Sequence, residues 1–317
     1  VQLVISIVSW NTRELLQRCL SSLQPYCRPG HTRIVVIDNA SSDGTPDMIR
    51  REFPEVTLIE SGGNLGFGKA HNLVAKHSTE PFVLFLNPDT EFVENAHERM
   101  LDVFTAHPEV GLVGCRMTNL DGSIQPLGWQ WHTTPWTELL SGLLVSRSST
   151  RLAQRLLPYH DPLQNGFVKK LYGGCLMARR ELLDKVGWFD ERFFMYGEDV
   201  DLSRRMEAAG ARLYYLSSTR VIHLCGGASA KAPGRFATLM QCESIAKLME
   251  KYYGRTGRIL YTLAIQLRAL FRLGIVGGAR LLLGLLGRQR RALKDSWTKH
   301  VAMLKWSLGL DRPMIPR

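Results

Sequence analysis

The stretch FVLFLNPDT, residues 82–90, decides the fold: five apolar residues, Phe82–Leu86, run straight into Asn87-Pro88-Asp89. A short apolar run ended by an Asn-Pro turn signal predicts a strand buried on both faces. Such strands belong to parallel sheets covered by helices, and open α/β sheets bind ligands beyond the carboxyl ends of their strands. Asp89 therefore stands where a carboxylate could ligate a divalent cation bridging a diphosphate. Oxygen ligation of that kind favours Mg2+ or Mn2+.

Upstream the same pattern repeats. Leu3–Ser9 and residues 33–37 are strand-like, and they run into Val8-Ser9-Trp10-Asn11 and Asp38-Asn39. Between them, residues 12–23 set Leu15, Leu16, Cys19, Leu20 and Leu23 on one helical face. Asp43-Gly44 turns the chain, Thr45 suits a helix N-cap and Pro46 the first helical position. Residues 56–59 predict a third strand and residues 66–76 a helix. Alternation of this kind predicts an α/β fold with a mixed, mostly parallel sheet flanked by helices. Trp10 could pack against a base, and Asp38 could accept a hydrogen bond from a pyrimidine N–H. Each residue taken singly also has a plainer reading, because Asx residues after strands commonly make turns.

Downstream, Ala96–Ala106 reads as a helix and residues 110–115 as extended. Residues 126–168, rich in Trp, Pro and Ser, predict a long excursion of the lid or binding-loop kind. Residues 171–178 and 212–216 predict strands flanking a helix over 198–209, with residues 221–223 a last extended piece. Glu198, Asp199 and Asp201 fall in the first turn of that helix. Acids there complement the helix dipole. Preceded by Phe193-Phe194-Met195-Tyr196, they also predict a partly desolvated pocket, where a raised pKa suits a general base. His223 reads either as a metal ligand or as a core histidine. The glycine-rich residues 62–69 match neither GxGxxG nor GxxxxGK[ST]. Their backbone N–H groups, with Lys69, could still approach an anion.

The 317 residues, 45% hydrophobic and 22% charged, suit one large α/β domain with an appendage. Residues 236–317 carry 15 of the 40 basic but only 4 of the 29 acidic side chains, so the formal charge of +11 resides there. The expected division is a neutral body, 1–235, and a basic helical tail, 236–317. On a helix, Arg255, Arg258, Arg268, Arg272 and Arg280 share an arc of roughly 140° opposite Leu, Ile, Tyr and Val. That pattern suits an interfacial helix attracted to anionic lipid, or a solvated or partner-binding face. Residues 259–287 are interrupted by arginines and fall short of the ~18 uncharged apolar residues of a membrane span. Gly274, Gly277 and Gly278 weaken one continuous helix. Six cysteines without paired or metal-type spacing, and no secretory leader before Val1, predict reduced thiols in a cytosolic setting. Nucleic-acid sites place basic and aromatic residues together, whereas acids occupy the expected cleft, so no nucleic-acid partner is expected.

In chain order, Val8-Ser9-Trp10-Asn11, residues 36–45 (VIDNASSDGT), Asn64-Leu65-Gly66-Phe67-Gly68, Leu86-Asn87-Pro88-Asp89-Thr90 and Gly197-Glu198-Asp199-Val200-Asp201 resemble the inverting family 2 glycosyltransferases of the GT-A fold. The likeness spans residues 1–230. Residues 189–196 (FDERFFMY) and His223 look most like L-rhamnosyltransferases acting on polyprenyl-diphosphate-linked N-acetylglucosamine in bacterial cell-wall, O-antigen or exopolysaccharide assembly. The resemblance implies dTDP-L-rhamnose as donor, that lipid-linked glycan as acceptor, and peripheral attachment to the cytoplasmic face of the inner membrane.

It also implies roles. Asp38, with Val8 and Trp10, would hold the base, while Ser9, Asn11, Asn64, Gly66, Lys69, Asn87 and Pro88 would line the donor site. Asp89 would bind Mg2+ or Mn2+, and His223 would complete its coordination. Asp199 would deprotonate the acceptor, with Glu198 and the Gly173-Gly174 turn shaping the sugar pocket. Trp129 and Trp131 would stack on a sugar or pack within a lid. The chain departs from the family's DxD pattern at Asn87, which implies weaker metal binding, with Asn87 turned to ribose or donor sugar. No Gln-x-x-Arg-Trp segment is present, which argues for adding a single sugar. Galactofuranosyl, mannosyl or N-acetylglucosaminyl transfer from a UDP- or GDP-sugar is the nearest alternative. Nucleotidyl transfer would want a basic glycine-rich loop where Asn11-Thr12-Arg13-Glu14 stands. A non-catalytic binding module would leave the ordered acids unexplained.

Overall fold

The computed structural model describes residues 2–28, 30–127, 130–143, 159–224, 235–285 and 291–315. Strand β1 (Leu3–Ser9) is buried along its whole length. Leu3, Ile5 and Ile7 pack into one hydrophobic layer with Leu16, Leu20 and Leu23 of helix α1 (Arg13–Leu23). Val4 and Val8 pack into the opposite layer with Ala70 and Val74. Alternation along a strand puts successive side chains on opposite faces, so an all-apolar strand needs cover on both. The two buried serines of β1 are satisfied: Ser6 Oγ lies 2.7 Å from His71 Nδ1 and Ser9 Oγ 2.8 Å from Thr12 Oγ1. Burial lowers the His71 pKa to about 3, so the ring is neutral at physiological pH.

Strands β2 (Thr32–Asp38), β3 (Thr57–Glu60) and β4 (Phe82–Leu86) join β1 in parallel in the order β3-β2-β1-β4. Helix α2 (Thr45–Glu52) connects β2 to β3, and two short helices, α3 (Gly68–Asn72) and α4 (Val74–His77), replace the single helix expected over 66–76. The order reverses between β1 and β4, which is where open sheets place their ligand crevice. Strand β5 (Thr90–Phe92) and helix α5 (Ala96–Ala106) lead to β6 (Val110–Thr118). Helix α6 (Pro135–Leu143) and β7 (Gly166–Val168) give structure to parts of the expected excursion. Next come β8 (Cys175–Arg179), helix α7 (Arg180–Val186), helix α8 (Glu198–Ala208) and β9 (Arg212–His223). The sheet continues β4-β8-β6-β9-β5 with β7 on β9, and β5, β7 and β8 run against the other six strands.

Two expectations are corrected here. The strand foreseen over 171–178 starts only at Cys175, because Gly173 and Gly174 form a loop against Asp199 and Asn87. The pieces foreseen over 212–216 and 221–223 are one strand, kept continuous by a register shift opposite Cys115 and Arg116.

Helix α9 (Phe236–Leu285) bends at Gly254, whose φ of 64° only glycine adopts without strain, and runs unbroken through Gly274, Gly277 and Gly278. With α10 (Arg291–Ser307) it encloses a separate core that includes Met249, Tyr261, Ile265, Met303 and Trp306. The tail is pinned to the body by charge. Buried Asp201 accepts from Arg205 Nε at 2.7 Å, Lys251 Nζ at 2.5 Å and the Tyr252 hydroxyl at 2.8 Å. The two faces of the tail helix differ in their surroundings. Arg258 pairs with Glu243 and Glu250, Arg280 lies over Trp297, and Arg268 Nε is buried. Leu260, Leu263, Leu267, Leu270 and Phe271 face solvent instead. Acids supply partners for Arg258 and an aromatic ring one for Arg280; the leucines find no covering layer among the described residues.

Candidate active site

Parallel pairing of β1 with β2 and β4 brings three strand ends together. Ser9 lies in register with Asp38 and Ile7 with Leu86, so Trp10, Asp38 and Asn87 leave the sheet at one edge. Asn11 and Ala40, in the loops that follow, have φ of 53° and 59°. Asn tolerates the left-handed region; a non-glycine residue such as Ala40 stores ~1–3 kcal/mol there, a strain typical of functional loops.

Asp38 is 1% exposed. Its Oδ2 accepts the Ser41 N–H at 2.8 Å, and its Oδ1 is buried without a hydrogen-bond partner among the described residues. Burial raises its pKa, with the Ser41 hydrogen bonds pulling the other way. An orphaned carboxylate oxygen costs free energy unless a ligand N–H reaches it. Its neighbour Asn39 donates to the Gly66 carbonyl at 2.9 Å, tying the end of β2 to the glycine loop. In that loop Asn64 Oδ1 caps Gly66 N–H at 3.1 Å. A Cβ on Gly66 would stand 2.2 Å from the Phe194 carbonyl oxygen, so glycine there is a packing requirement. Ser9 is turned inward to Thr12 (2.8 Å), Val8 is buried, Trp10 and Pro88 are placed at the strand ends, and Lys69 pairs with Glu191 at 3.4 Å.

At the next strand end Asp89 Oδ1 lies 3.4 Å from His223 Nε2. The tautomer follows from the surrounding amides. Gln125 Nε2 donates to the His223 carbonyl at 2.7 Å and to Asn119 Oδ1 at 2.9 Å, so its Oε1, 2.9 Å from His223 Nδ1, must accept. Nδ1 therefore carries the proton, and Nε2 presents a lone pair toward Asp89 and toward the Asn87 amide at 3.1 Å. A carboxylate oxygen and an imidazole lone pair facing each other, with the far ring nitrogen anchored on a carbonyl, suit a divalent cation. Through its Nδ2 the Asn87 amide holds the histidine. Asp89 and His223 form a pair; among the described residues no cluster of three or more potential ligands exists.

Asp199 is the second residue of α8, which follows Gly197, whose φ is 83°. Its oxygens accept Val200 N–H at 2.8 Å and Gly173 N–H at 3.1 Å. Burial raises its pKa against those hydrogen bonds. Burial, then the Asp199 charge, holds Glu198 well above the usual carboxylate range, and Glu198 Oε2 is buried without a partner among the described residues.

The Gly173-Gly174 turn joins this acid to the other pair. Gly173 N–H binds Asp199 while the Gly174 carbonyl accepts Asn87 N–H at 3.0 Å. A Cβ on Gly174 would lie 3.6 Å from both Asn87 Nδ2 and His223 Cε1. Two residues thus span from the acid to the metal-type pair. Trp131 borders Val200, beside Asp199; Trp129 lies outside the described residues. Sequence reasoning missed Gln125, which carries no local signal, and Lys170, a buried-loop cation electrostatically coupled to Asp199.

Fold and site define a glycosyltransferase of the GT-A type. The chain belongs to glycosyl transferase family 2, whose family model matches residues 4–187. It is 32% identical over 249 residues to an N-acetylglucosaminyl-diphospho-decaprenol L-rhamnosyltransferase of Mycobacterium tuberculosis, covering 70% of this chain and 75% of that protein. It is 25% identical over 226 residues to the rhamnosyltransferase WbbL of Escherichia coli K12, covering 69% and 82%. A mannosyltransferase of Pyrobaculum calidifontis, solved with GDP-Man and Mn2+, shares the fold with a TM-score of 0.61 at 17% identity, covering 98% of this chain and 86% of that one.

Proposed function

We propose that this chain transfers one L-rhamnose from dTDP-L-rhamnose, with inversion, to a polyprenyl-diphosphate-linked N-acetylglucosamine. The observation that carries the reading is the Gly173-Gly174 turn, which ties Asp199 to Asn87, Asp89 and His223. Likeness to relatives with that activity supports the choice of sugar and acceptor. Asp38 Oδ1 accepts the N–H of the thymine ring, and Trp10 and Val8 flank it. Asp199 takes the proton of the acceptor hydroxyl. The hydroxyl oxygen then bonds to the anomeric carbon from the face opposite the nucleotide, and the bond from that carbon to the diphosphate oxygen breaks. Asp89 and His223 hold Mg2+ or Mn2+, which when bound neutralises charge growing on the leaving diphosphate.

Purified protein, dTDP-L-rhamnose, a farnesyl-diphosphate-linked N-acetylglucosamine and either metal should give a rhamnosylated product of inverted anomeric configuration by NMR. Transfer from a GDP-sugar alone would overturn the pyrimidine assignment, and a retained configuration would overturn in-line attack.

The tail supports peripheral attachment to the cytoplasmic face of the inner membrane. Its helix is the one segment among the described residues long and apolar enough to cross a bilayer, with a mean hydropathy of 1.6 in its most apolar window. Its inner side is engaged by α10, and its outer side carries the exposed leucines. Lying in the interface buries that side alone. The chain should float with phosphatidylglycerol-containing vesicles, and a variant with Leu263→Glu and Leu267→Glu should not. Equal flotation of both would remove the leucine face as the contact.

A further inference from the structure

A cavity of about 250 Å³ lies between the catalytic body and the helical tail. A single water needs only ~10–15 Å³ by that measure, so the space suits a multi-atom ligand. Lys170, Tyr172 and Val200 of the body, Glu138 of α6, and Arg268 and Lys299 of the tail line it. Three cations from three separate chain segments share this lining with one acid, and Arg268 and Lys170 act on Glu138 electrostatically. Arg268 Nε is buried with no hydrogen-bond partner among the described residues. Burial lowers the pKa of Lys170, while Glu138 and Asp199 draw it back up. Partly buried cations such as Lys170 and Arg268 are costly unless negative charge is brought to them, and the exposed Lys299 adds positive charge at the rim.

The position of the cavity indicates whose charge that is. Val200 follows Asp199 directly, and Tyr172 precedes Gly173, the residue bound to Asp199. The cavity therefore begins one residue from the base that must meet the acceptor hydroxyl, away from the Asp89–His223 end where the donor's diphosphate belongs. Arg268 also adjoins Leu267 of the outward apolar face. Base, cationic cavity and leucine face follow the order of hydroxyl, diphosphate and lipid in a lipid-linked sugar.

We propose that Lys170, Arg268 and Lys299 bind the diphosphate of the lipid-linked acceptor. The assignment rests on the lipid-acceptor reading above and adds a recognition site to it. Charge-assisted hydrogen bonds to phosphate are the strong class, and losing one at a buried site weakens binding by about tenfold or more.

Farnesyl diphosphate serves as the probe and TDP as the control, both titrated calorimetrically. Arg268→Gln and Lys170→Gln should each weaken farnesyl diphosphate by about tenfold or more and leave TDP affinity unchanged. Arg268→Lys should retain most of the affinity. In turnover, each Gln variant should lower, by a similar factor, the kcat/KM preference for diphosphate-linked over phosphate-free alkyl N-acetylglucosamine. Should Arg268→Gln fail to fold, Lys170→Gln carries the test. The proposal is overturned if the wild type does not bind farnesyl diphosphate, if TDP displaces the probe, or if neither Gln variant weakens it. Binding is measured without sugar transfer, so failure of the rhamnosyl reading would leave this result separately legible.

Discussion

Asp199→Asn should lower kcat by about 10²–10⁴-fold, the range typical of losing a positioned general base, while TDP binding persists. The amide keeps the size of the carboxylate and its one oxygen can still accept from either Val200 or Gly173 N–H, but it cannot take a proton. The pH profile supplies a second readout. Burial raises the Asp199 pKa, so the acid limb of kcat/KM should lie above the ordinary carboxylate range, with activity lost as pH falls through it. Glu198 sharpens the point. Held well above its usual value by burial and then by Asp199, it favours folding while protonated, a contribution that fades as pH rises through its folded pKa. Near-normal turnover by Asp199→Asn would remove Asp199 as the base.

The second large effect belongs to the strand end after β4. Asp89→Ala should raise the Mn2+ concentration needed for half-maximal activity by more than ~100-fold, beyond the 10–100-fold typical of losing an outer partner such as Gln125. Removing Asp89 leaves His223 Nε2 facing no carboxylate, whereas removing Gln125 frees the ring and its tautomer. A Mn2+ titration of rate for both variants orders the two effects. An unaffected wild-type rate after EDTA treatment would contradict any metal role for this pair.

How much of this was legible in residue order varies by element. β1, β4 and α5 match their sequence boundaries because each is a complete apolar run or a clean helical face, patterns set within a few residues. β5 and β7 span three residues each, too short for any period to register. Leu171 and Tyr172 lengthened the expected strand before β8, since apolar side chains packing from a loop look like strand residues. At the site, Asp38, Asp89, Asp199 and His223 could be singled out as chemistry-bearing types at strand ends or a helix start. Gln125 could not, because a lone Gln in an irregular stretch has no local mark.

By itself the sequence determined the parallel half of the sheet and the positions of its acids, because strand period and strand-end composition are local properties. Tertiary structure decided the rest. Gln125 fixes the tautomer of His223 across 98 residues. The Gly173-Gly174 turn links Asp199 to Asn87, and the tail helix turns several of its arginines toward the protein and its leucines outward. Each depends on which distant partner offers charge, a lone pair or close approach. That is a property of the folded surface alone.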